Sequence, residues 1–217
     1  MNLKSEFNRL GTARLKDNLT IMAKTISVNK TMAWLFAVST SMIVQALPAS
    51  ASTWLNTGSA TSRPFGHIEY CKKRPFDCRQ NKGSAKLQSL SLGALNSVNS
   101  SVNHRIKPMR DQEQFGVRDR WSYGAKIGDC EDFAIAKRAA LLSRGYRPEN
   151  TLLAMGYSGV EAHVVLLVRT DGGDYVLDNL NPAVLPVEKS SVRISKVQSP
   201  KNGAEWLSVG GKSTVKP

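Results

Sequence analysis

A cysteine opens the most strongly helical stretch of this sequence, residues 127–145, which read IGDCEDFAIAKRAALLSRG. Three carboxylates surround Cys130, and the run that follows contains no glycine or proline before Gly145. Asp129 is a good N-cap, and Asp132 occupies the position from which a carboxylate can reach back to the cap. The pattern predicts a helix that begins at Cys130 and ends before Gly145.

A cysteine at this position has three interpretations: a nucleophile, a metal ligand or a small core residue. The positive N-terminus of a helix lowers the pKa of a thiol from about 8.5, which favours a nucleophile. Neighbouring carboxylates oppose formation of a thiolate, which favours the other two interpretations. The helix start alone leaves all three open.

Antiparallel strands are predicted after this helix. Three apolar runs read as strands, at residues 151–155, 162–169 and 174–178, and residues 170–173 read as the turn of a hairpin. A further hairpin is predicted from residues 192–199 to 204–209. Helices followed by antiparallel strands indicate an α+β domain.

The chain before Cys130 is less regular. Residues 52–66 are rich in Ser, Thr and Gly and predict a flexible lead-in. Apolar residues from Leu87 to Val102 recur at steps of three and four, which predicts a helix. Residues 107–128 predict a loop packed against the domain. We expect the domain to span residues 67–210, followed by a tail at 211–217.

The N-terminal segment, residues 1–51, predicts export. Residues 32–47 are apolar and uncharged, Lys24 and Lys30 precede them, and an Ala-Ser-Ala site ends at Ala51. These are the parts of a secretory signal peptide, and the apolar run is short for a membrane span. An uncleaved membrane anchor is the alternative. We expect a periplasmic or secreted protein that contacts a membrane only if the signal is retained.

The three cysteines fit an exported protein, because oxidising compartments permit disulfides. Cys71 and Cys78 are close in sequence, with the turn-prone Pro75 between them, and form the natural pair. Two free thiols or part of a metal site are the alternatives. The pairing leaves Cys130 as an unpaired thiol and a candidate reactive group.

The chain is basic, with 30 basic and 17 acidic residues and a net charge of +13. Cleavage after Ala51 would remove six of the basic and two of the acidic residues, which leaves 24 and 15 and a net charge of +9. Such a protein can meet anionic lipid, acidic polysaccharide or an acidic protein, although most of the charge only promotes solubility. The sequence has no zinc finger and no basic patch interleaved with aromatic residues, so we expect no nucleic-acid partner.

One histidine, His163, lies in a predicted strand within reach of a carboxylate. If Arg169 pairs with Asp174 across the hairpin, His163 and Asp178 are diagonal neighbours on one face of the sheet. Asp178 would then orient the imidazole while His163 faces Cys130, the arrangement of thiol proteases and acyl transferases. The alternatives are a structural strand histidine and a carboxylate that only ends the strand.

Three blocks of sequence carry a family resemblance: GDCEDFAIAKRAALLSRG, EAHVVLLVRT and DYVLDNL, in this order. They resemble the bacterial transglutaminase-like cysteine proteinases, the LapG-like periplasmic proteases, over roughly residues 71–206. The resemblance implies a papain/transglutaminase-like α+β fold in which a nucleophile helix packs on an antiparallel sheet. It also implies a cysteine peptidase with Cys130 as nucleophile, His163 as base and Asp178 as orienting carboxylate.

The resemblance further implies calcium, bound by acidic residues that flank the nucleophile. Asp129 and Glu131 match those positions, and Asp132 lies beside them. Calcium binds several oxygen ligands, and its charge would offset the effect of the carboxylates on the thiolate. The alternative needs no metal: Asp129 caps the helix, while Glu131 and Asp132 favour its positive end.

The family suggests a protein substrate, such as a surface adhesin, and an inner-membrane receptor as a candidate partner. If an amine rather than water released the acyl group, the same site would act as a protein-glutamine acyltransferase. A non-catalytic calcium-binding module of the same fold is a third hypothesis, against which the intact set of Cys130, His163 and Asp178 argues. The oxyanion would be bound by the Cys130 backbone N–H, and Trp121 is a candidate for the second donor.

Overall fold

The computed structural model describes residues 52–83, 86–210 and 214–215, the last two by their backbone. The predicted signal peptide in residues 1–51 and most of the predicted tail therefore lie outside the described residues. None of the helices in the described part of the chain is long and apolar enough to cross a membrane.

Helices and strands alternate irregularly along the chain. The helices are α1 (Phe65–Lys73), α2 (Leu92–Arg105), α3 (Asp111–Phe115) and α4 (Cys130–Leu142). The strands are β1 (Thr53–Trp54), β2 (Thr57–Thr61), β3 (Lys107–Pro108), β4 (Ile127–Gly128), β5 (Thr151–Ser158), β6 (Glu161–Thr170), β7 (Gly173–Leu177), β8 (Leu185–Pro186), β9 (Val192–Gln198), β10 (Trp206–Val209) and β11 (Thr214–Val215).

The main sheet has seven antiparallel strands in the order β2-β10-β9-β5-β6-β7-β8. Its central strands are buried on both faces. Val164 and Leu166 of β6 belong to the core that includes α4, while Val165 and Leu167 belong to a second core on the opposite face. This alternation is the period-two pattern of a strand, and it places α4 on one face of the sheet.

The helix predicted after Cys130 is present as α4, because Ala, Leu and charged residues fill its interior without glycine or proline. Ala134 and Leu141 are at most 1% exposed and pack in the main core with β6. Cys130 precedes Ala134 by one helical turn and therefore lies on the same stripe. The packing of α4 on the sheet thus brings the Cys130 end of the helix against β6.

The two ends of α4 follow their sequence signals to different degrees. Asp132 reaches back to the backbone N–H of Asp129 as predicted, but the side chain of Asp129 makes no capping hydrogen bond. The Oδ2 atom of Asp129 instead accepts a hydrogen bond of 3.1 Å from the backbone N–H of Asp111. At the other end, Gly145 has a φ of 85°, the left-handed conformation that ends many helices.

The β6–β7 hairpin has the predicted register, with Arg169 opposite Asp174. Thr170 is opposite Gly173, so the connection is a two-residue turn and not the predicted four-residue one. Because the difference is an even number of residues, every side chain keeps its predicted face of the sheet.

Residues 52–66 form regular structure where their composition predicts a flexible lead-in. They contain β1, β2 and the start of α1, and Thr61 of β2 is opposite Trp206 of β10. Ser, Thr and Gly favour loops locally, but a strand at the sheet edge obtains its hydrogen bonds from a distant partner. The domain boundary at residue 67 stays a prediction, and these strands precede it.

Two further elements differ from the sequence-based expectation. The predicted helix at Leu87 begins only at Leu92, because the preceding residues attach to the β6–β7 turn, where the Leu90 N–H donates to Asp171. Residues 107–128, predicted as a loop, contain α3 and the short parallel strands β3 and β4. These residues form one wall of the site described below.

Cys71, in α1, and Cys78, in the turn that follows, are joined by a disulfide, as predicted. The alternatives of free thiols or a metal site do not apply to this bonded pair. His67 lies beside the disulfide and is fully buried, and its Nδ1 accepts a hydrogen bond of 3.1 Å from the indole N–H of Trp206. The hydrogen bond attaches α1 to β10 of the sheet, and the disulfide attaches α1 to the turn that follows it.

Candidate active site

A cavity of about 920 Å³ lies where the N-terminus of α4 meets β6. Four parts of the chain line it: the residues around the start of α3, the start of α4, the end of the β5–β6 hairpin, and the residues after β7. Cys130 and His163 both line this cavity. The residues that the sequence assigns to nucleophile and base therefore face one space.

Cys130 is the first residue of α4 and a free cysteine, the other two being bonded to each other. Its sulfur accepts a hydrogen bond from the backbone N–H of Val164, the residue next to His163. The thiol donates to Glu131 Oε2, 3.3 Å away. These two contacts hold the sulfur at the side of β6.

The surroundings of the Cys130 thiol favour its protonated form. Burial, followed by the negative charge of Glu131, raises the pKa of the thiol, and the Val164 N–H lowers it by less. The net direction is therefore opposite to the lowering expected from the helix N-terminus, because burial and the adjacent Glu131 carboxylate disfavour the thiolate. Formation of a thiolate needs a base or a compensating positive charge.

His163 and Asp178 form a buried pair. His163 Nε2 lies 2.8 Å from Asp178 Oδ1, and the two residues are 5% and 4% exposed. The backbone N–H of Leu180 also donates to Oδ1 of Asp178, and Asn103 of α2 donates to its backbone carbonyl. Burial acts to raise the pKa of Asp178, but the hydrogen bonds from His163 and Leu180 bring it below the usual value.

The unequal lengths of β6 and β7 explain how these residues meet. β7 ends at Leu177, opposite Leu166, whereas β6 continues to Glu161. Among the described residues, no strand pairs with residues 161–165 on the edge of β6 that faces β7, which leaves the Val164 N–H for the Cys130 sulfur. The chain after β7 turns at Asp178 and reaches His163 in the same gap.

The profile of the bacterial transglutaminase-like cysteine proteinases, BTLCP, matches residues 57–214, which is most of the chain. The chain belongs to this family. It is a cysteine proteinase of mixed helix and antiparallel sheet with a transglutaminase-like fold. No curated protein matches the sequence.

Solved structures of Legionella pneumophila LapG are similar to this proteinase. Calcium-bound LapG shares 24% identity at a TM-score of 0.45, over 54% of this chain and 70% of that chain. EGTA-treated LapG also shares 24% identity at a TM-score of 0.45, over 55% of this chain and 67% of that chain. A third LapG structure shares 25% identity at a TM-score of 0.45, over 52% of this chain and 65% of that chain.

Three carboxylates converge beside Cys130 of this proteinase. One oxygen each from Asp111, Asp129 and Glu131 lies within 4.8 Å of the others. Within the described residues, the buried Oδ1 atoms of Asp111 and Asp129 have no hydrogen-bond partner. Unpartnered buried carboxylate oxygens are costly, and oxygen atoms are the ligands that calcium prefers. The cluster therefore fits a calcium ion.

Burial also changes the protonation of this cluster. It raises the pKa of Asp111 and, together with a hydrogen bond to Asp129, that of Glu131. Burial likewise raises the pKa of Asp132 to about 7. Burial and the neighbouring carboxylates thus favour the protonated forms of Asp111, Glu131 and Asp132.

Two of the three carboxylates in this cluster were predicted from the sequence, and the third, Asp111, was not. Asp129 and Glu131 are brought together, whereas Asp132 lies outside the set and accepts a hydrogen bond of 2.7 Å from the Ser122 backbone N–H. Asp111, 1% exposed, comes from α3, and the Arg120 backbone N–H also donates to it. Nothing in the irregular sequence around Asp111 indicates that it packs against the start of α4.

Trp121, the candidate second oxyanion donor, is not available for that function. Its indole N–H donates to Asp119 Oδ1 at 2.7 Å, and its ring is 5% exposed. It packs edge-on against His67 and Trp206 in the core. Trp121 is therefore a structural residue, as is the buried His67.

Proposed function

We propose that this proteinase hydrolyses a peptide bond of a protein substrate through Cys130, His163 and Asp178. The observation that carries the proposal is the buried His163–Asp178 hydrogen bond of 2.8 Å at the cavity that Cys130 also lines. The Cys130 sulfur also accepts a hydrogen bond from the backbone N–H of Val164, the residue next to His163, which supports a position of the sulfur beside this part of β6.

The hydrogen bond to Asp178 selects the tautomer of His163. Because the Asp178 carboxylate can only accept a hydrogen bond, His163 Nε2 carries the proton and donates a hydrogen bond to Oδ1, while Nδ1 keeps a lone pair. His163 Nδ1 takes the thiol proton as Cys130 Sγ attacks the peptide carbonyl carbon. The backbone N–H of Cys130, in the first turn of α4, has no intrahelical partner and binds the oxyanion.

The remaining steps return the enzyme to its starting state. His163 gives its proton to the nitrogen of the departing amine, which leaves a thioester on Cys130. His163 then takes a proton from water as the water oxygen attacks the thioester carbonyl. The carbon–sulfur bond breaks, the proton passes from His163 to the sulfur, and the acyl group leaves as a carboxylic acid.

We also propose that Asp111, Asp129 and Glu131 hold a calcium ion. The support is the convergence of their oxygens and the two buried Oδ1 atoms without a partner. A bound divalent cation would offset the negative charge that opposes the Cys130 thiolate.

Calcium binding can be measured without activity, by isothermal titration of the purified chain with calcium chloride. We expect a binding heat for the wild type that Asp129→Asn and Asp111→Asn remove. Glu113→Gln is the matched control, since Glu113 is exposed and lines the same cavity outside the cluster. Absence of heat in the wild type, or undiminished heat in both Asn variants, contradicts the calcium proposal.

We further propose that the proteinase acts outside the cytoplasm on another exported protein. The Cys71–Cys78 disulfide supports this location, because oxidising compartments allow such bonds to persist. The signal-peptide pattern in residues 1–51 agrees with it. A surface adhesin as substrate and an inner-membrane receptor as partner stay predictions from the family resemblance.

The proteolytic activity is tested by terminal-peptide mass spectrometry of the exported proteome. Cells that produce the wild type should show new protein termini that are absent with Cys130→Ala and with His163→Ala. His104→Ala is the matched control, since His104 is exposed and does not line the cavity. Termini that persist with Cys130→Ala would exclude this nucleophile, and glutamine-derived cross-links in place of termini would indicate acyl transfer.

A further inference from the structure

A second cavity, which we call the Arg138 cavity, lies at the other end of α4. It has a volume of about 660 Å³, and Arg138 and Leu142 of α4 line it. These residues follow Cys130 by eight and twelve positions, about 12–18 Å along the helix axis. The Arg138 cavity shares no lining residue with the cavity at Cys130. It is therefore separate from the catalytic residues.

Arg138 is a buried cation without an ion pair in the described part of the chain. It is 6% exposed, and its Nε donates to the Thr151 carbonyl oxygen at 2.9 Å. Its Nη1 lies 3.4 Å from the backbone carbonyl of Asp77. The Asp77 carboxylate already accepts hydrogen bonds from the Tyr70 hydroxyl and from Arg74 Nε.

The lack of a counter-ion affects Arg138 directly. Burial lowers its pKa, and the interactions with Tyr70 and Asp77 offset that effect only in part. A buried charge is costly unless an opposite charge pairs with it. An anion that enters the cavity would provide that pairing.

Three further cations line the Arg138 cavity: Arg79, Lys82 and Arg147. Its two acidic lining residues are Asp77 and Glu149, so the lining has a surplus of two positive charges. Guanidinium groups match the oxygens of phosphates and carboxylates, but a phosphate monoester carries about two negative charges at neutral pH and a single carboxylate carries one. The charge of the cavity therefore favours phosphate.

The shape of the Arg138 cavity suits a small ligand. Its volume falls within the range of about 300–1,000 Å³ that is common for small-molecule sites. The segment of residues 79–83 forms one side and approaches Glu149 closely: a Cβ on Gly83 would lie 1.7 Å from Glu149 Oε1. Phe76 is 77% exposed beside Arg79 and adds an apolar surface to the lining.

We propose that the Arg138 cavity binds a phosphate monoester group, either free in solution or on the headgroup of a lipid. Arg138 supplies the buried positive charge, and Arg79 and Lys82 complete the contact from the more exposed side. The site is independent of the proteolytic mechanism. It adds a ligand-binding function at the end of the helix that carries the nucleophile.

Inorganic phosphate is the probe for this site, titrated into the purified chain at constant ionic strength in calcium-free buffer and followed by amide NMR. We expect saturable shifts of amides lining the Arg138 cavity. The double variant Arg79→Ala/Lys82→Ala should weaken phosphate binding by about tenfold or more, because each of its two substitutions removes a charge-assisted contact. Arg105→Ala/Lys107→Ala removes the same charge from exposed residues outside both cavities and should bind as the wild type does.

Vesicles distinguish the two sources of the phosphate group. Retention on phosphatidic-acid vesicles that inorganic phosphate displaces assigns the site to a lipid headgroup, and phosphate binding without vesicle retention assigns it to a soluble ligand. Unsaturable shifts, or equal weakening in both double variants, would overturn the proposal. The substitutions at positions 79 and 82 leave the buried Arg138 intact, so a folding defect does not obscure the result.

Discussion

At the scale of single residues, the buried Lys137 is the least expected feature of α4. It lies two turns after Cys130 on the same stripe of α4 and is 1% exposed. Burial lowers its pKa from 10.5 to about 7, while the negative charge of Asp178 acts in the opposite direction. A cation in this position helps to keep Asp178 ionised, at a cost to stability.

This cost predicts how stability depends on pH. Between the folded pKa of about 7 and the unfolded value of 10.5, the unfolded chain binds the Lys137 proton and the folded chain does not. The free energy of unfolding therefore rises with pH in this range, by up to about 1.4 kcal/mol per unit. Lys137→Met removes this contribution, so its stability relative to the wild type should be greatest near pH 7 and smaller near pH 10.

Urea unfolding at pH 7, 8.5 and 10 measures the effect, with Lys107→Met as an exposed control. A difference between Lys137→Met and wild type that does not change with pH would refute this assignment.

The site was only partly predictable at this scale. Cys130 carries a helix-start signal, and His163 and Asp178 follow from the alternation of a hairpin, so local rules place all three. Asp111 approaches the nucleophile through tertiary packing of a short helix, which no periodicity records. The raised pKa of Cys130 was missed because it depends on burial that the sequence does not show.

At the scale of elements, the contact between β5 and β9 near His163 is unusually close. Gly156 of β5 is opposite His163, and the β5–β9 register shifts between Met155 and Gly156. A Cβ on Gly156 would lie 2.1 Å from the backbone oxygen of Arg193. The two strands can therefore approach this closely only with glycine at position 156.

Gly156→Ala should separate β5 from β9 and lower the free energy of unfolding by about 1–3 kcal/mol, the usual cost of overpacking. Gly93→Ala is the matched control in α2, where an added Cβ meets no atom within 4 Å and alanine favours the helix. Chemical denaturation of both variants tests this expectation. Equal stability of Gly156→Ala and wild type would show that the strands adjust without cost.

Elements with strong local signals were predicted well, and those held by distant partners were not. α4 and the β6–β7 hairpin follow from helix and strand periodicity and from turn residues. β1 and β2 have loop-like composition and exist because β11 and β10 pair with them. The delayed start of α2 has a similar cause, since the β6–β7 turn holds the residues before it.

At the scale of the whole molecule, the disulfide that joins α1 to the turn after it contributes to the stability of the fold. It closes a short loop, with the Cα atoms of Cys71 and Cys78 5.6 Å apart. Closing such a loop restricts the unfolded chain and is worth about 2–3 kcal/mol. The double variant Cys71→Ser/Cys78→Ser should lose this amount in urea unfolding, and an unchanged midpoint would contradict the expectation.

The central claim is that the Cys130 thiol is activated by His163. Because the other two cysteines are bonded to each other, alkylation by iodoacetamide reports on Cys130 alone. The most direct measurement is the rate of this alkylation at pH 7 with calcium present, followed by intact-protein mass spectrometry. We predict that His163→Gln slows the rate by about tenfold or more, with Asp178→Asn between His163→Gln and wild type. Equal rates in all three proteins would contradict the account.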